Sequence, residues 1–395
     1  MIKTTFVGRS YTGWGCLAVL PEEAKRLGAG RALIVTDPFL RDSGLAARLA
    51  ATLEAAGITC LINADVVAEP PLAVGEKLVD YVRAQAVDLV IGLGGGSALD
   101  LAKAAAVLAT QEGQVRDYLN LSGSRSLASR GLPKIMIPTT SGTGSEVTNI
   151  SVFSLESSKD VIAHDFLLAD VAIVDPELTI SVPPRVSAAT GVDALTHAVE
   201  SYLSVNASPI SEVLSLQAIR LIAPSLRTAV HHGADRAART AMSYGSYLAG
   251  LAFFNAGVGG VHALAYPLGG RFHIAHGESN AVLLPHVMAY IRPSCEKKLK
   301  DIYESMGYSA ALLGQEEAAI ACIAALQQLV ADVGIPDSLQ AYGIGENDLA
   351  GLSADACLQT RLLARSPMPL GEADIARIYR AAWQGGNTTP ERRTP

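Results

Sequence analysis

The stretch Val87–Ala109, VDLVIGLGGGSALDLAKAAAVLA, decides how the fold is read. Its first part is a short apolar run, its second an Ala/Leu-rich helical pattern, and Gly94, Gly95 and Gly96 stand between them. A buried strand that turns at once into a helix is the opening of a strand–helix unit in a parallel sheet. Adjacent glycines let backbone amides approach a ligand without Cβ clashes, and the helix N-terminus adds the positive end of a dipole. A diphosphate would be stabilised there. Ser97, with Asp100 three positions on, suggests a capping-box pair for that helix. On its own a glycine triplet reads equally well as a tight turn, and it is not the GxGxxG fingerprint.

The surroundings repeat the pattern. Apolar runs at 31–37, 58–64, 133–139 and 171–176 read as further strands, and 45–57 and 74–85 as helices between them. Strands alternating with helices predict an α/β unit, a parallel sheet covered on both faces. After Ser181-Val182-Pro183-Pro184 the β signal fades, and helical periodicity takes over at 185–203, 208–228, 234–255, 278–290, 315–333 and 372–384. We therefore divide the chain into an α/β unit at 1–182, an all-helical unit at 183–385, and a frayed Gly/Pro/Thr-rich tail at 386–395. No internal repeat is evident.

Composition narrows the function classes. The 395 residues are 49% apolar and 17% charged, and mean hydropathy is +0.28, which excludes a disordered chain. A formal charge of −7 with no long basic run argues against nucleic acid as a partner. Cys16, Cys60, Cys295, Cys322 and Cys357 are scattered and form no CxxC pair, the usage of a reducing compartment. The start, MIKTTFVGRSYTGWG, has no apolar core of a signal peptide. Thr240–Gly270 lacks Asp, Glu, Lys and Arg and is long enough to cross a bilayer. It nevertheless holds Asn255, His262, Pro267 and seven glycines, which fits a buried helical hairpin around a site better than a membrane span. The expectation is a cytoplasmic protein without membrane partners.

A second loop follows the strand at 133–139. Thr139-Thr140-Ser141-Gly142-Thr143-Gly144-Ser145 packs five hydroxyls and two glycines into seven residues. Donors at a strand's C-terminal end are what a polar ligand needs in an open α/β sheet. Asp37 directly follows another strand, where a carboxylate can accept from ribose hydroxyls and repel a 2′-phosphate. It reads equally well as a helix N-cap before Pro38. Further on, Asp193 and His197 stand at i and i+4 on a predicted helix, a spacing that lets a carboxylate and an imidazole share one ion. Four of the eight histidines, His262, His273, His276 and His286, cluster later, and spacing alone does not say which of them bind.

These segments resemble the iron-containing (group III) alcohol dehydrogenase family. GGGSALDLAK (94–103), TTSGTGSEVT (139–148), ATGVDALTHAVESY (189–202) and GGVHALAYPLGGRFHIAHG (259–277) carry the resemblance, which extends over nearly the whole chain. It implies a dinucleotide-binding α/β domain, an all-helical domain, and a cleft between them for NAD(P) and a divalent metal. It assigns the metal to Asp193, His197, His262 and His276. The diphosphate falls to Gly95, Gly96 and Ser97, further cofactor contacts to Thr139, Thr140, Thr143 and Thr148, and the ribose to Lys159. Asp37 matches the family's ribose-binding acid and favours NAD over NADP. Fe2+ is the expected ion, although three imidazoles and a carboxylate also suit Zn2+. Members usually form homodimers or larger homo-oligomers.

One position departs from the family pattern: Tyr266 stands where members often carry a second histidine near the metal. Tyr266 itself or His273 then becomes the candidate catalytic group. The implied reaction interconverts a small alcohol and its aldehyde or ketone, in a pocket expected around Phe253, Phe254, Tyr266 and Phe272. Two alternatives share parts of this reading. A sugar-phosphate cyclase of the dehydroquinate synthase type would need a basic pocket for its phosphate, whereas 240–270 is uncharged. A non-catalytic NAD- or metal-binding sensor would be marked by lost ligands, and none is lost.

Overall fold

The computed structural model describes residues 3–155 and 159–386, so all of the tail beyond Gly386 lies outside the described residues. The chain forms two compact units, one spanning Thr5–Ser181 and the other running from Val182 onward.

The first unit is built on a six-stranded parallel sheet. In chain order the strands of this unit are β1 (Arg9–Thr12), β2 (Arg31–Val35), β3 (Thr59–Asn63), β4 (Leu89–Gly94), β5 (Lys134–Pro138), β6 (Ile150–Ser154), β7 (Lys159–Ala163) and β8 (Val171–Val174). Spatially the sheet runs β1-β8-β5-β4-β2-β3, while β6 and β7 form a separate antiparallel pair. Helices α1 (Leu20–Arg26), α2 (Pro38–Asp42), α3 (Leu45–Ala55), α4 (Leu72–Gln85) and α5 (Gly96–Leu108) connect the strands. The central strands β4 and β5 are buried along their whole length, as strands covered on both faces should be.

Strand order explains where a ligand belongs. From β2 the chain steps outward to β3, then returns to β4 on the other side of β2 and continues to β5. The order therefore reverses between β2 and β4, and such switch points open a crevice at the strands' carboxyl ends. Asp37 follows β2 there, and Gly94 ends β4 with Gly95 and Gly96 directly after it.

The second unit is helical: α6 (Pro184–Leu203), α7 (Pro209–His231), α8 (Arg236–Ala256), α9 (Gly260–Phe272), α10 (His276–Ile291), α11 (Glu296–Ser305), α12 (Gln315–Asp332), α13 (Leu349–Cys357), α14 (Thr360–Leu363) and α15 (Glu372–Gln384). Its core joins Val192, Leu195 and Val199 of α6 to Ile222 and Leu226 of α7, Met242 of α8 and Leu283 and Val287 of α10. Glycines allow the closest approaches. A Cβ on Gly191 would lie 2.3 Å from Leu226, and one on Gly277 would lie 2.2 Å from the Ala189 carbonyl oxygen.

Two expectations need correction. The uncharged stretch 240–270 is not a hairpin: α8 and α9 meet at a bend of 103°, broken at Gly257–Gly259. The pair is apolar and long enough to be compared with a membrane span, as is α7, but α8 and α9 contribute Met242, Ala249, Val261 and Leu264 to the helical core. The Ser97–Asp100 capping box does not form either. Gly95 is the N-cap of α5 and makes no side-chain cap bond, because both side chains are used elsewhere.

Candidate active site

Within the first unit, the two loops read from sequence touch. The Thr139 amide donates to the Gly94 carbonyl oxygen at 3.0 Å. A Cβ on Gly96 would meet the Thr143 side chain at 2.7 Å, and one on Gly94 would meet Ala98 at 2.8 Å, where φ is also +149°. These two glycines are required by geometry: the backbone must pass close to Thr143 and begin α5 without a side chain in the way. Gly95, Gly96, Ser97, Thr140 and Thr143 are only partly covered.

Buried charge holds the loops together. Lys103 is fully buried on α5 and donates to the Ser145 carbonyl at 3.0 Å, to Thr148 Oγ1 at 3.2 Å and to the Ile150 carbonyl. Asp100 lies 3.0 Å from its ammonium, accepts from Ser145 Oγ at 2.5 Å and from the Val152 amide at 3.0 Å. Burial draws the Lys103 pKa down, and Asp100 opposes it. Beside them, burial pushes the Glu146 carboxyl up to about 7. The Thr148 hydroxyl is thus engaged inside the protein, whereas Thr140 and Thr143 are half-buried and Thr143 Oγ1 accepts from the Ser145 amide at 3.3 Å.

Asp37 is the N-cap of α2. Its Oδ1 accepts from the Leu40 amide at 2.9 Å and caps α2, while Oδ2 lies 3.6 Å from the position of a Cβ on Gly94. The carboxylate therefore borders the glycine turn. Arg41 pairs with Asp42 at 2.8 Å rather than with Asp37. Lys159 pairs with Glu69 at 3.1 Å, and the Glu69 amide donates to Ser97 Oγ at 3.2 Å. Glu69, a left-handed residue with φ 50°, was not singled out by sequence, yet it links the two predicted cofactor residues.

In the second unit, Asp193, His197, His262 and His276 converge, with one donor atom from each lying within 4.8 Å of all the others. Asp193 Oδ1 is 3.9 Å from His197 Nε2, 3.8 Å from His262 Nε2 and 3.7 Å from His276 Nε2. Asp193 and His197 lie on α6, His262 in the first turn of α9, and His276 opens α10. Phe253 stacks on the His197 ring at 4.3 Å. The group is buried except at His276, whose side chain is 26% exposed.

Two further residues complete it. Glu200 Oε2 lies 2.6 Å from His262 Nδ1, and Oε1 accepts from the Val261 amide at 2.6 Å. That bond puts the His262 proton on Nδ1 and leaves the Nε2 lone pair facing Asp193. Asn280 Nδ2 donates to Asp193 Oδ1 at 2.7 Å and lies 3.2 Å from both His262 Nε2 and His276 Nε2. Burial alone would raise the Asp193 carboxyl, but His197, His276, His262 and Asn280 overcome it and its pKa is lowered.

This arrangement fits a cation. Among the described residues neither Asp193 nor Glu200 has a Lys or Arg partner, so two buried carboxylates face only imidazoles, an amide and backbone. Three acceptor atoms crowd one amide nitrogen that has only two hydrogens, and Asn280 Oδ1 is buried without a partner. A divalent ion held by one carboxylate and three imidazoles resolves that excess of acceptors, and the donor set is of the kind transition metals prefer.

The remaining candidates fall at different distances. The Tyr266 ring centroid is 5.9 Å from that of His276. His273 is exposed, ends α9 in a left-handed conformation and is not in the donor group. His286 lies deeper in α10, where burial lowers its pKa to about 4.

The family model "Iron-containing alcohol dehydrogenase" matches residues 8–176, and that of the "Fe-containing alcohol dehydrogenase family, C-terminal" matches 187–383. Long-chain-alcohol dehydrogenase 1 of Geobacillus thermodenitrificans (strain NG80-2) is 61% identical over 99% of both chains. A crystal structure of 1,3-propanediol oxidoreductase superposes with a TM-score of 0.93 at 38% identity, covering 97% of this chain and 100% of that one. Sulfoacetaldehyde reductase from Bifidobacterium kashiwanohense, solved in complex with NAD+, superposes at 0.87 with 28% identity, covering 96% of this chain and 98% of that one. The chain belongs to the iron-containing alcohol dehydrogenase family.

Proposed function

We propose that the protein interconverts a primary alcohol and its aldehyde with NAD, holding a divalent ion, Fe2+ by family and Zn2+ by donor chemistry, on Asp193, His197, His262 and His276. The observation that carries this reading is the convergence of the four donor atoms within 4.8 Å, backed by Glu200. When bound, the ion supplies Lewis acidity that favours loss of a hydroxyl proton or polarises a carbonyl, and the nicotinamide supplies or accepts the hydride.

The chain's own residues do the rest. Gly95, Gly96 and Ser97 present backbone donors and a helix N-terminus to a diphosphate. Thr140 and Thr143 add hydroxyls, and Asp37 accepts from ribose while disfavouring a 2′-phosphate. Lys159 reaches the ribose side from its pairing with Glu69. Thr139 and Thr148 act through the loop they shape. Glu200 fixes the His262 tautomer, and Asn280 orients Asp193. Tyr266, whose ring centroid is 5.9 Å from that of His276, can donate from its Oη to a substrate oxygen. His273 would have to act from an exposed helix end. A soluble, cytoplasmic homodimer or larger homo-oligomer completes the proposal.

The test is direct. NADH oxidation with a short aldehyde should be catalysed by purified protein and abolished by removal of the metal; full activity without metal would refute the reading.

A further inference from the structure

Among the described residues, three that are not glycine take a left-handed backbone: Glu69, Ala86 and His273. Ala86 ends α4 and His273 ends α9, where a left-handed residue is a common way to stop a helix. Glu69, at φ 50°, closes no helix. It lies in the connection from β3 to α4 and precedes Pro70, and a residue before proline is ordinarily extended. So unfavourable a conformation persists only where its surroundings impose it.

Four ties impose it. The Val66 amide donates to the Thr36 carbonyl, next to Asp37, at 3.3 Å, and the Glu69 amide donates to Ser97 Oγ at 3.2 Å. The Ser154 amide donates to the Pro70 carbonyl at 3.0 Å, and Pro71 bridges to Ser154. The connection is thereby fastened to the end of β2, the first turn of α5 and β6. In the β6–β7 pair Ser154 stands opposite Lys159, and the Glu69 carboxylate meets the Lys159 ammonium there.

The Lys159 side chain is 5% exposed, and burying an ammonium is costly unless a counter-charge faces it. Glu69 Oε1 supplies that charge at 3.1 Å. Yet Oε1 is buried and accepts no hydrogen bond, so the two groups touch as charges, out of line for an N–H···O bond. The ammonium's hydrogens are left for other acceptors. If the turn had only to close the connection, glycine or asparagine would take the left-handed backbone more easily. We propose that Glu69 is a positioning residue for the cofactor: its imposed turn sets the carboxylate that holds the Lys159 ammonium in place, with its hydrogens directed to the ribose hydroxyls. This rests on the reading of the first unit as an NAD site in which Lys159 meets the ribose.

NADH binding, followed by its fluorescence and checked by steady-state kinetics, tests the proposal on the unmodified protein, E69Q, K159M and E69Q/K159M. K159M should raise the Kd for NADH about tenfold and E69Q about fivefold, the size of a lost or weakened hydrogen bond from a charged group. In turnover the E69Q loss should fall on KM for NADH rather than on kcat. The double variant should bind no more weakly than K159M, because Glu69 acts through Lys159. Unaltered NADH binding by E69Q overturns the proposal. A double-variant loss equal to the product of the two single losses overturns it as well, since Glu69 would then act independently of Lys159. E69N suits the left-handed backbone but carries no charge, and it stands in if E69Q fails to fold: it too should bind NADH more weakly, and normal binding overturns the proposal. If the unmodified protein binds no NADH, the dinucleotide reading falls and the proposal falls with it.

Discussion

Around Gly94–Gly96 the proposed ligand contacts are made by backbone, whereas around Asp193 the proposed contacts are made by side chains. The first region depends on what is missing: a Cβ at Gly96 would lie 2.7 Å from Thr143, and the loops can meet only because none is there. The second depends on what is present, four donors drawn from three helices and held by Glu200 and Asn280. The difference teaches how each should fail. A backbone cradle spreads its recognition over many amides, so single side-chain changes there should tune selectivity. A donor group concentrates it, so a single change should abolish function.

The largest effect should come from the donor group itself. H262A or D193A should lose bound metal and lower kcat on the order of a thousandfold, several kcal/mol of charge stabilisation, as read by elemental analysis and NADH oxidation. Metal retained at full stoichiometry with normal turnover would break the contrast. One step out, E200Q keeps the shape but weakens the hold on His262 Nδ1, and metal affinity or activity should fall about 10–100-fold.

The backbone cradle should respond more gently. D37G should narrow the preference for NADH over NADPH by about tenfold through loss of like-charge repulsion. Loss of the α2 cap should cost only a few tenths of a kcal/mol, since glycine is a tolerable N-cap. Equal use of NADPH and NADH by the unmodified protein would contradict the role of Asp37. Y266F should lower kcat about tenfold, roughly 1.4 kcal/mol, with metal content unchanged. An unaltered kcat and pH profile would leave Tyr266 a packing residue.

The smallest effect concerns Glu146 beneath the loops. The folded protein keeps it protonated up to about pH 7, whereas its ordinary value is 4.5. Its contribution is therefore fully present below pH 4.5 and is lost as pH rises through 7. E146Q should raise the Tm at pH 8 relative to the unmodified protein by more than it does at pH 5. A difference independent of pH would show that Glu146 ionises normally.

Much of this was legible in sequence because the signals are local. The alternation of apolar runs and helical periods places β2–β5 and β8, and the i,i+4 spacing puts Asp193 and His197 on one face of α6. The long-range partners were not legible in that way. Nothing in the spacing brings His262 and His276 to α6, and it was the resemblance to a family that separated them from His273 and His286. Glu200 and Asn280 escaped notice, though each carries a weak mark. Glu200 is, besides Asp193, the acid in the otherwise uncharged run 186–203, and Asn280 stands one turn after His276. Strands β1, β6 and β7 were missed because they lack the continuous apolar character of the central strands.

The central claim is that Asp193, His197, His262 and His276 hold one divalent ion on which NAD-linked alcohol chemistry depends. Elemental analysis of the purified protein, paired with NADH oxidation on butanal before chelation, after it, and after return of Fe2+ or Zn2+, tests it most directly. The account predicts one ion per chain, loss of turnover with the ion and recovery on its return, and no recovery in H262A. A metal-free protein that turns over at the full rate would contradict it.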